Sequence, residues 1–308
     1  MRKSTKGKFM SSLRLTQRGR KDFLFAILLL LPTLYILLKT FVFPIAQSLV
    51  WSFFKYNLMD GSDVEFVGMR NFTQIFQLRD FWVSMWNTTY FTVFTVAMEL
   101  ILGFFSALLL NQMFRGQIFF RGMIIIPWAL LTLVNGLMWN WIYQPGYGPL
   151  TVLLHNLHLL SPDSNPIWLT SPARIIAFAS IADIWKTTPY MTLILLAGLQ
   201  SLSPTLYEAA VIDGSGFWKK VWHITIPQLM PSIVVAVVLR IIAAFRVYDI
   251  LTVFSSDPKT SVSYLTFNYA FRYFYLGRAS AMAWISTLFI LFFIVIYIRM
   301  LKKNGEIE

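Results

Sequence analysis

The amino-acid sequence predicts an all-α membrane protein with six transmembrane helices, and three observations carry that prediction. Of its 308 residues, 57% are hydrophobic and only 13% are charged, where an average soluble domain is about 25% charged. The apolar residues gather into six long runs. The cations between those runs fall mainly on alternate loops, which also explains the net charge of +12 without invoking nucleic acid. The chain contains no cysteine, so disulfides and cysteine-ligated metals are excluded.

Residues 1–21 form a basic tail, with Arg2, Lys3, Lys6, Lys8, Arg14, Arg18, Arg20 and Lys21 and no acid before Asp22. A basic start before an apolar run also suits a signal peptide, and Ala46-Gln47-Ser48 loosely imitates a cleavage site. The run Phe23–Phe43 is too long for a signal's apolar core and long enough to span a bilayer. We read it as the first span. Five more follow, at Trp86–Leu110, Phe119–Trp141, Arg174–Leu199, Pro231–Phe254 and Ala279–Leu301. Each holds about 20 residues or more, enough at about 1.5 Å per residue to cross about 30 Å of hydrocarbon. Residues 22–302 are therefore expected to form one six-helix domain, followed by a short tail, 303–308.

Six crossings return the C-terminus to the side of the N-terminus. That side holds the eight tail cations with Arg115, Arg121, Lys219, Lys220, Arg299, Lys302 and Lys303. The other holds Lys55, Arg70, Arg79, Lys259, Arg272 and Arg278. The positive-inside rule then places both termini in the cytoplasm. The outer loops, 55–81 and 142–173, are rich in Gly, Pro, Asn and Ser, which argues for fixed turns.

Between the fourth and fifth spans lies SPTLYEAAVIDGSGFWKKVWHITIP, residues 203–227. Ser203-Pro204 starts a helix, with a hydroxyl for free amides and a proline tolerated in the first turn. That helix sets Leu206, Ala210 and Val211 along one side and stops at Asp213-Gly214, where glycine takes a left-handed closing turn. Ser215 is expected to cap a second short helix carrying Trp218 and Trp222 at i,i+4, which Pro227 interrupts. The spacing Glu208-Ala209-Ala210, Gly214, Ile224, Pro227 resembles the cytoplasmic EAA loop of permease subunits of binding-protein-dependent ABC importers. Ile226 stands where that loop usually has Leu.

Other phrases resemble the sugar-type importers related to the maltose-transporter membrane subunits. They are FVGMRNF in the first outer loop, Gly146-Tyr147-Gly148, the run from Leu196 to Ser201, and that from Ala270 to Gly277. The resemblance covers nearly the whole chain after the tail. Two departures stand out: a large extracellular insertion is absent, and SSDPKTSVSYLT at 255–266 replaces a Gly-rich, Pro-containing turn. The resemblance implies a carbohydrate importer in a bacterial or archaeal cytoplasmic membrane. It also implies a second, similar permease, two ATPase subunits that hold ATP and Mg, and an extracellular solute-binding protein. Glycerol-phosphate and alditol importers share these motifs.

The chain itself shows no catalytic constellation. Gly7-Lys8-Phe9 lacks the spacing and hydroxyl of a phosphate loop, so this chain is read as a transporter subunit, not an enzyme, with no cofactor of its own. His155, His158 and His223 are scattered and suggest no metal site. A stand-alone secondary transporter would need coupling-ion sites and internal repeats, and no repeat links the two halves. An intramembrane enzyme would need convergent nucleophile, base or metal ligands.

What remains is a set of polar groups inside the spans: Glu99, Asn135, Asn140, Asp183, Lys186, Arg240, Arg246 and Asp249. Each is costly at membrane depth and should face protein or a watery path. Asp183–Lys186 and Arg246–Asp249 are spaced i,i+3, close enough to neutralise one another on one helix face. The first reads as a packing pair. The second is flanked by Phe245 and Tyr248, and packing and a solute path remain equally open, since aromatic faces beside hydrogen-bonding groups suit a sugar ring. Glu99, without a local partner, is protonated, paired across helices or exposed to the path. Asn135 joins it as a path candidate. Small residues opening the sixth span, Ala279, Ser280, Ala281, Ala283 and Ser286, point first to close packing. Trp82, Trp86, Trp139, Trp141 and Trp222 read as interfacial or packing residues.

The natural lack of cysteine makes topology directly testable. Single cysteines replacing Asp60 and Leu160 should react with a membrane-impermeant thiol reagent added to intact cells, and one replacing Lys219 should not. Labelling at 219 from outside would reverse the orientation.

Overall fold

A computed structural model describes residues 17–59, 64–161 and 163–303. The basic tail up to residue 16 and the last five residues, 304–308, lie outside the described residues. The chain divides at Trp51–Ser52 into an N-terminal unit and a larger unit.

The N-terminal unit is a helix in three pieces: α1 (Gln17–Leu37), a π-helical turn (Leu38–Val42) and α2 (Phe43–Trp51). The wide turn has a local cause. Pro44 lacks an N–H, and its ring would press on the carbonyl four residues back. An extra residue in the turn, with the Phe43 N–H bonding the Leu38 carbonyl, moves that carbonyl aside without ending the helix.

The larger unit begins with a short hairpin and helix. Strands β1 (Phe54–Lys55) and β2 (Glu65–Phe66) pair antiparallel, followed by α3 (Arg70–Gln77). The buried Asn71 amide donates to the carbonyls of Ser52 (2.8 Å) and Phe54 (2.9 Å), fixing α3 against β1. The long helix α4 (Arg79–Asn111) follows. The expected third span is not one straight helix. It is α5 (Gln117–Ala129) and α6 (Thr132–Ile142), bent by 92°. Pro127, three residues before the break, cannot donate to the carbonyl of Met123, and Leu130 and Leu131 take extended backbone. The short α7 (Pro149–Asn156) leads to α8 (Pro172–Gln200).

Helix α8 holds 29 residues, about 43 Å at about 1.5 Å per residue, which is long enough for a span. Its middle, however, carries Asp183, Lys186, Thr187, Thr188, Pro189 and Tyr190. Among the described residues, four helical stretches are both long and apolar enough to cross a membrane: 25–51, 79–111, 217–254 and 276–299, or five if the bent pair counts as one. The polar middle keeps α8 out of that set; Asp183 and Pro189 are buried there and Lys186, Thr187, Thr188 and Tyr190 are half-buried.

Helix α4 packs along α8 as the most extensive helix pair of the molecule. Gly103 makes this possible, because a β-carbon there would sit 2.9 Å from the Met191 side chain. The core between α4, α8 and α11 (Ile226–Phe245) contains Phe91, Met191, Leu195, Leu229 and Ala236. A second core joins α3 and the start of α4 to α13 (Val262–Phe271) and α14 (Leu276–Lys303) through Ile75, Phe81, Val262 and Met282. Segment 255–266 is ordered by a 3-10 turn at Pro258–Thr260. It is tied to α4 by Asn87, which donates to the Lys259 carbonyl (3.0 Å), and by the Val262 N–H donating to Thr88 (2.9 Å).

Gly103→Val should overpack the α4–α8 seam at a cost of about 1–3 kcal/mol. The detergent-solubilised protein should then melt several degrees lower. Gly122→Ala is the control, since nothing beyond its own stretch of helix backbone lies within 4 Å of the added carbon. Equal melting of both variants would contradict the seam.

Candidate functional site

The polar middle of α8 is built into a buried ion cluster. The Arg240 guanidinium, on α11, donates from Nε to Glu99 Oε2 (2.5 Å) and from Nη2 to Glu99 Oε1 (2.9 Å), and Nη2 also meets Asp183 Oδ2. Glu99 is fully buried, Arg240 is 5% exposed and Asp183 is 8% exposed. The planar fork of arginine suits a bidentate carboxylate contact. Two carboxylates, from α4 and α8, thus share one guanidinium.

Beside the cluster opens a cavity of about 320 Å³. Asp183, Lys186, Thr187 and Tyr190 line it from α8, one helix face repeating every three to four residues. Trp128 and Thr132 come from either side of the α5–α6 break, and Arg240, Arg246, Tyr248 and Asp249 from α11 and beyond. Trp128 stacks on Tyr190 with centroids 6.0 Å apart and planes at 25°. The α11 helix ends at Phe245, and α12 (Asp249–Phe254) starts after a three-residue break. Arg246, Tyr248 and Asp249 also line a larger groove of about 770 Å³ toward α13 and α14, with Phe267, Ala283 and Ser286.

This geometry sorts the residues singled out from sequence. Glu99 is paired across helices and sits behind Arg240. Asn135 is buried and donates to the Ala182 carbonyl at 3.3 Å, tying α6 to α8; neither cavity is lined by it. Phe245 is buried and faces the groove. Asp183 pairs with Arg240 across helices, and among the described residues no ion pair joins it to Lys186. Arg246 and Asp249 do not form an i,i+3 helical pair either, because the helix breaks between them. Trp128, Tyr190 and Thr187 had no signal of their own; the i, i+3, i+4, i+7 spacing from Asp183 to Tyr190 was the available clue.

Residues 203–227 form a separate feature. Helix α9 (Pro204–Ile212) closes through Gly214 at φ +68°. The Gly214 N–H donates to the Val211 carbonyl (3.0 Å) and the Ser215 N–H to that of Ala210 (2.9 Å), a paired capping that only a left-handed residue permits. Ser203 and Ser215 do not cap as expected. The Ser203 hydroxyl meets Thr205 (2.7 Å), and Gly216 stands at the cap of α10 (Phe217–Lys220). Nor does Pro227 interrupt the second arm. A π-helical turn at Val221–Thr225, closed by the Ile226 N–H on the Val221 carbonyl, carries α10 straight into α11. It is the solution already used before Pro44.

Tyr207 and Thr225 join the two arms at 3.1 Å. Ala210 is buried, whereas Leu206 and Val211 are exposed. Glu208, Ala209 and Pro227 lie on the surface and Ile224 is half-buried. Ile212 (86% exposed), Trp218 (59%) and Trp222 (64%) present an apolar face that nothing in this chain covers among the described residues.

Residues 99–303 match the family described as binding-protein-dependent transport system inner membrane component. The trehalose/maltose transport system permease protein MalF of Thermococcus litoralis is 36% identical, over 88% of this chain and 92% of its own length. The sulfoquinovosyl glycerol transport system permease protein SmoG of Agrobacterium fabrum is 35% identical, over 92% of each. Trehalose transport system permease protein SugA of Mycobacterium tuberculosis is 32% identical, over 84% of this chain and 82% of its own. The fold is also that of a bacterial ABC transporter involved in the import of the acidic polysaccharide alginate. That likeness has a TM-score of 0.75 at 19% identity, over 94% of this chain and 99% of the other.

Arg240→Met should cost about 3–5 kcal/mol, because it leaves two buried carboxylates facing each other. The triple variant Arg240→Met, Glu99→Gln, Asp183→Asn should recover part of that loss. Thermal melting of the solubilised protein measures both. A single variant as stable as wild type would mean the cluster does not hold the three helices.

Proposed function

This chain belongs to the family of binding-protein-dependent transport system inner membrane components, and from that premise we propose that it is a permease subunit of an ABC importer that carries a carbohydrate. The cavity at the polar middle of α8 is the observation that carries this reading. Its aromatic faces can stack on the C–H side of a sugar ring while Lys186, Arg246, Asp249 and the threonines exchange hydrogen bonds with hydroxyls. Trehalose, maltose and sulfoquinovosyl glycerol, named in the relatives, mark the range of solutes; a glycerol-phosphate or alditol is the alternative.

The importer needs parts that this chain does not supply. ATP and Mg belong to two ATPase subunits, a second permease completes the pathway, and an extracellular binding protein delivers the solute. Six crossings, counting α8 and the bent α5–α6 pair, put both termini and the 203–227 hairpin on the cytoplasmic side. There the hairpin's uncovered apolar face, with Glu208 and Gly214 shaping it, docks an ATPase. Closure of the ATPases on ATP moves the hairpins, and contacts that differ between inward-open and outward-open states bias the spans. Reconstitution with those partners, followed by uptake of a panel of labelled carbohydrates, tests the reading. ATP-dependent uptake of at least one supports it, and uptake of none rejects it.

Gly214→Pro should destroy the left-handed turn, where non-glycine residues already cost about 1 kcal/mol or more. The spans should still insert, so membrane abundance stays normal while ATPase retention on purification weakens and uptake is lost. Glu208→Lys should behave alike through charge reversal at the docking face. Full uptake in both variants would remove the hairpin from coupling.

A further inference from the structure

The N-terminal helix carries a lysine at membrane depth. Residues 25–51 are one of the stretches long and apolar enough to cross a bilayer. Lys39 lies inside it, 17 residues after Asp22 and 16 before Lys55, the nearest charges on either side. Its Nζ sits 5.7 Å from the centre of the Tyr35 ring. Tyr35 is one turn back toward the N-terminus, the cytoplasmic end in the reading above, so the amine points away from the outer headgroups. The inner boundary near Asp22 lies about 20 Å further along the helix, counted from Tyr35 at the rise of an α-helix. Thr40, beside Lys39 in the π-helical turn, gives its hydroxyl to the Ile36 carbonyl. Among the described residues Lys39 makes no ion pair. Protonated or not, an amine at that depth needs an acceptor.

We propose that Lys39 is a contact with the second permease, where it meets a carboxylate on one of that subunit's transmembrane helices. The proposal rests on the permease reading above and adds a membrane interface to it. No residue from 25 to 50 is buried, so the helix offers its apolar side chains and one amine to something outside itself. Lipid tails satisfy the apolar side chains as well as protein does. They do not satisfy Lys39. Of the other parts of the importer, the ATPases stand in the cytoplasm and the binding protein outside the cell, and only the second permease lies in the bilayer. A carboxylate is the acceptor that suits the amine best. It supplies the opposite charge and takes hydrogen bonds from the ammonium's three donors, and the dry surroundings strengthen both.

To test it, the full chain is tagged and co-expressed with its partner subunits, and loss of the second permease from the solubilised complex is followed with time. Lys39→Met makes the span more apolar, so its insertion is not impaired. It should speed that loss roughly tenfold or more, the least expected from breaking a desolvated charge pair. Lys39→Glu should do the same. In that background, replacing each Asp or Glu in the second permease's spans by Lys should restore slow loss at one position. Membrane abundance of every variant is measured by immunoblotting. An unchanged rate in Lys39→Met overturns the proposal, because lipid then satisfies the amine. Restoration at none of the partner's positions, or only by Asp249→Lys in this chain, overturns it as well. A wild-type complex that holds no second permease contradicts the permease reading itself, which is a distinct result.

Discussion

Arg240 is the polar contact that α4, α8 and α11 share, and the arrangement of the larger unit depends on it. Without its guanidinium, Glu99 and Asp183 would face one another inside the bundle, where like charges strongly repel. With it, three helices are pinned at one depth, and α8 can bring a polar stretch into the interior. That stretch is what gives the cavity its chemistry. One helix face is thus divided: Asp183 holds the bundle, while Lys186, Thr187 and Tyr190 line the cavity.

Breaks in helices do the remaining shaping. The α5–α6 bend brings Trp128 and Thr132 to the cavity from one side, and the α11–α12 break brings Arg246, Tyr248 and Asp249 from the other. At Pro44 and Pro227 the chain does the opposite. A π-helical turn absorbs the proline and keeps the helix running. The second of these makes α10 and α11 one helical run, so the exposed 203–227 hairpin is mechanically continuous with the helix that carries Arg240. The proposed coupling of the hairpin to the spans would run through that continuity.

Much of this was legible in the sequence. The apolar runs located the long helices, and the spacing from Glu208 to Pro227 located the hairpin and its left-handed Gly214. What was not legible had physical causes. Asp183 and Lys186 satisfy the helix-face rule, yet Asp183 pairs with an arginine on another helix and not with the lysine three residues away, and only the packing reveals that partner. Pro127 was visible, but a proline alone does not say whether a helix kinks, breaks or widens its turn. In this chain a helix breaks just after Pro127, widens its turn before Pro227 and runs on unbroken through Pro189. Trp128 and Tyr190 reach the cavity only because the bend folds one toward the other.

The central claim is that the space between α8 and the α11–α12 break is the solute's path. A cysteine replacing Thr187, in this naturally cysteine-free chain, tests it most directly when the reconstituted importer is treated with a thiol reagent during turnover. The account predicts labelling that a transported carbohydrate slows in a concentration-dependent way. A Thr187 position that stays unlabelled in every nucleotide state, or labels at a rate the solute does not change, would contradict it.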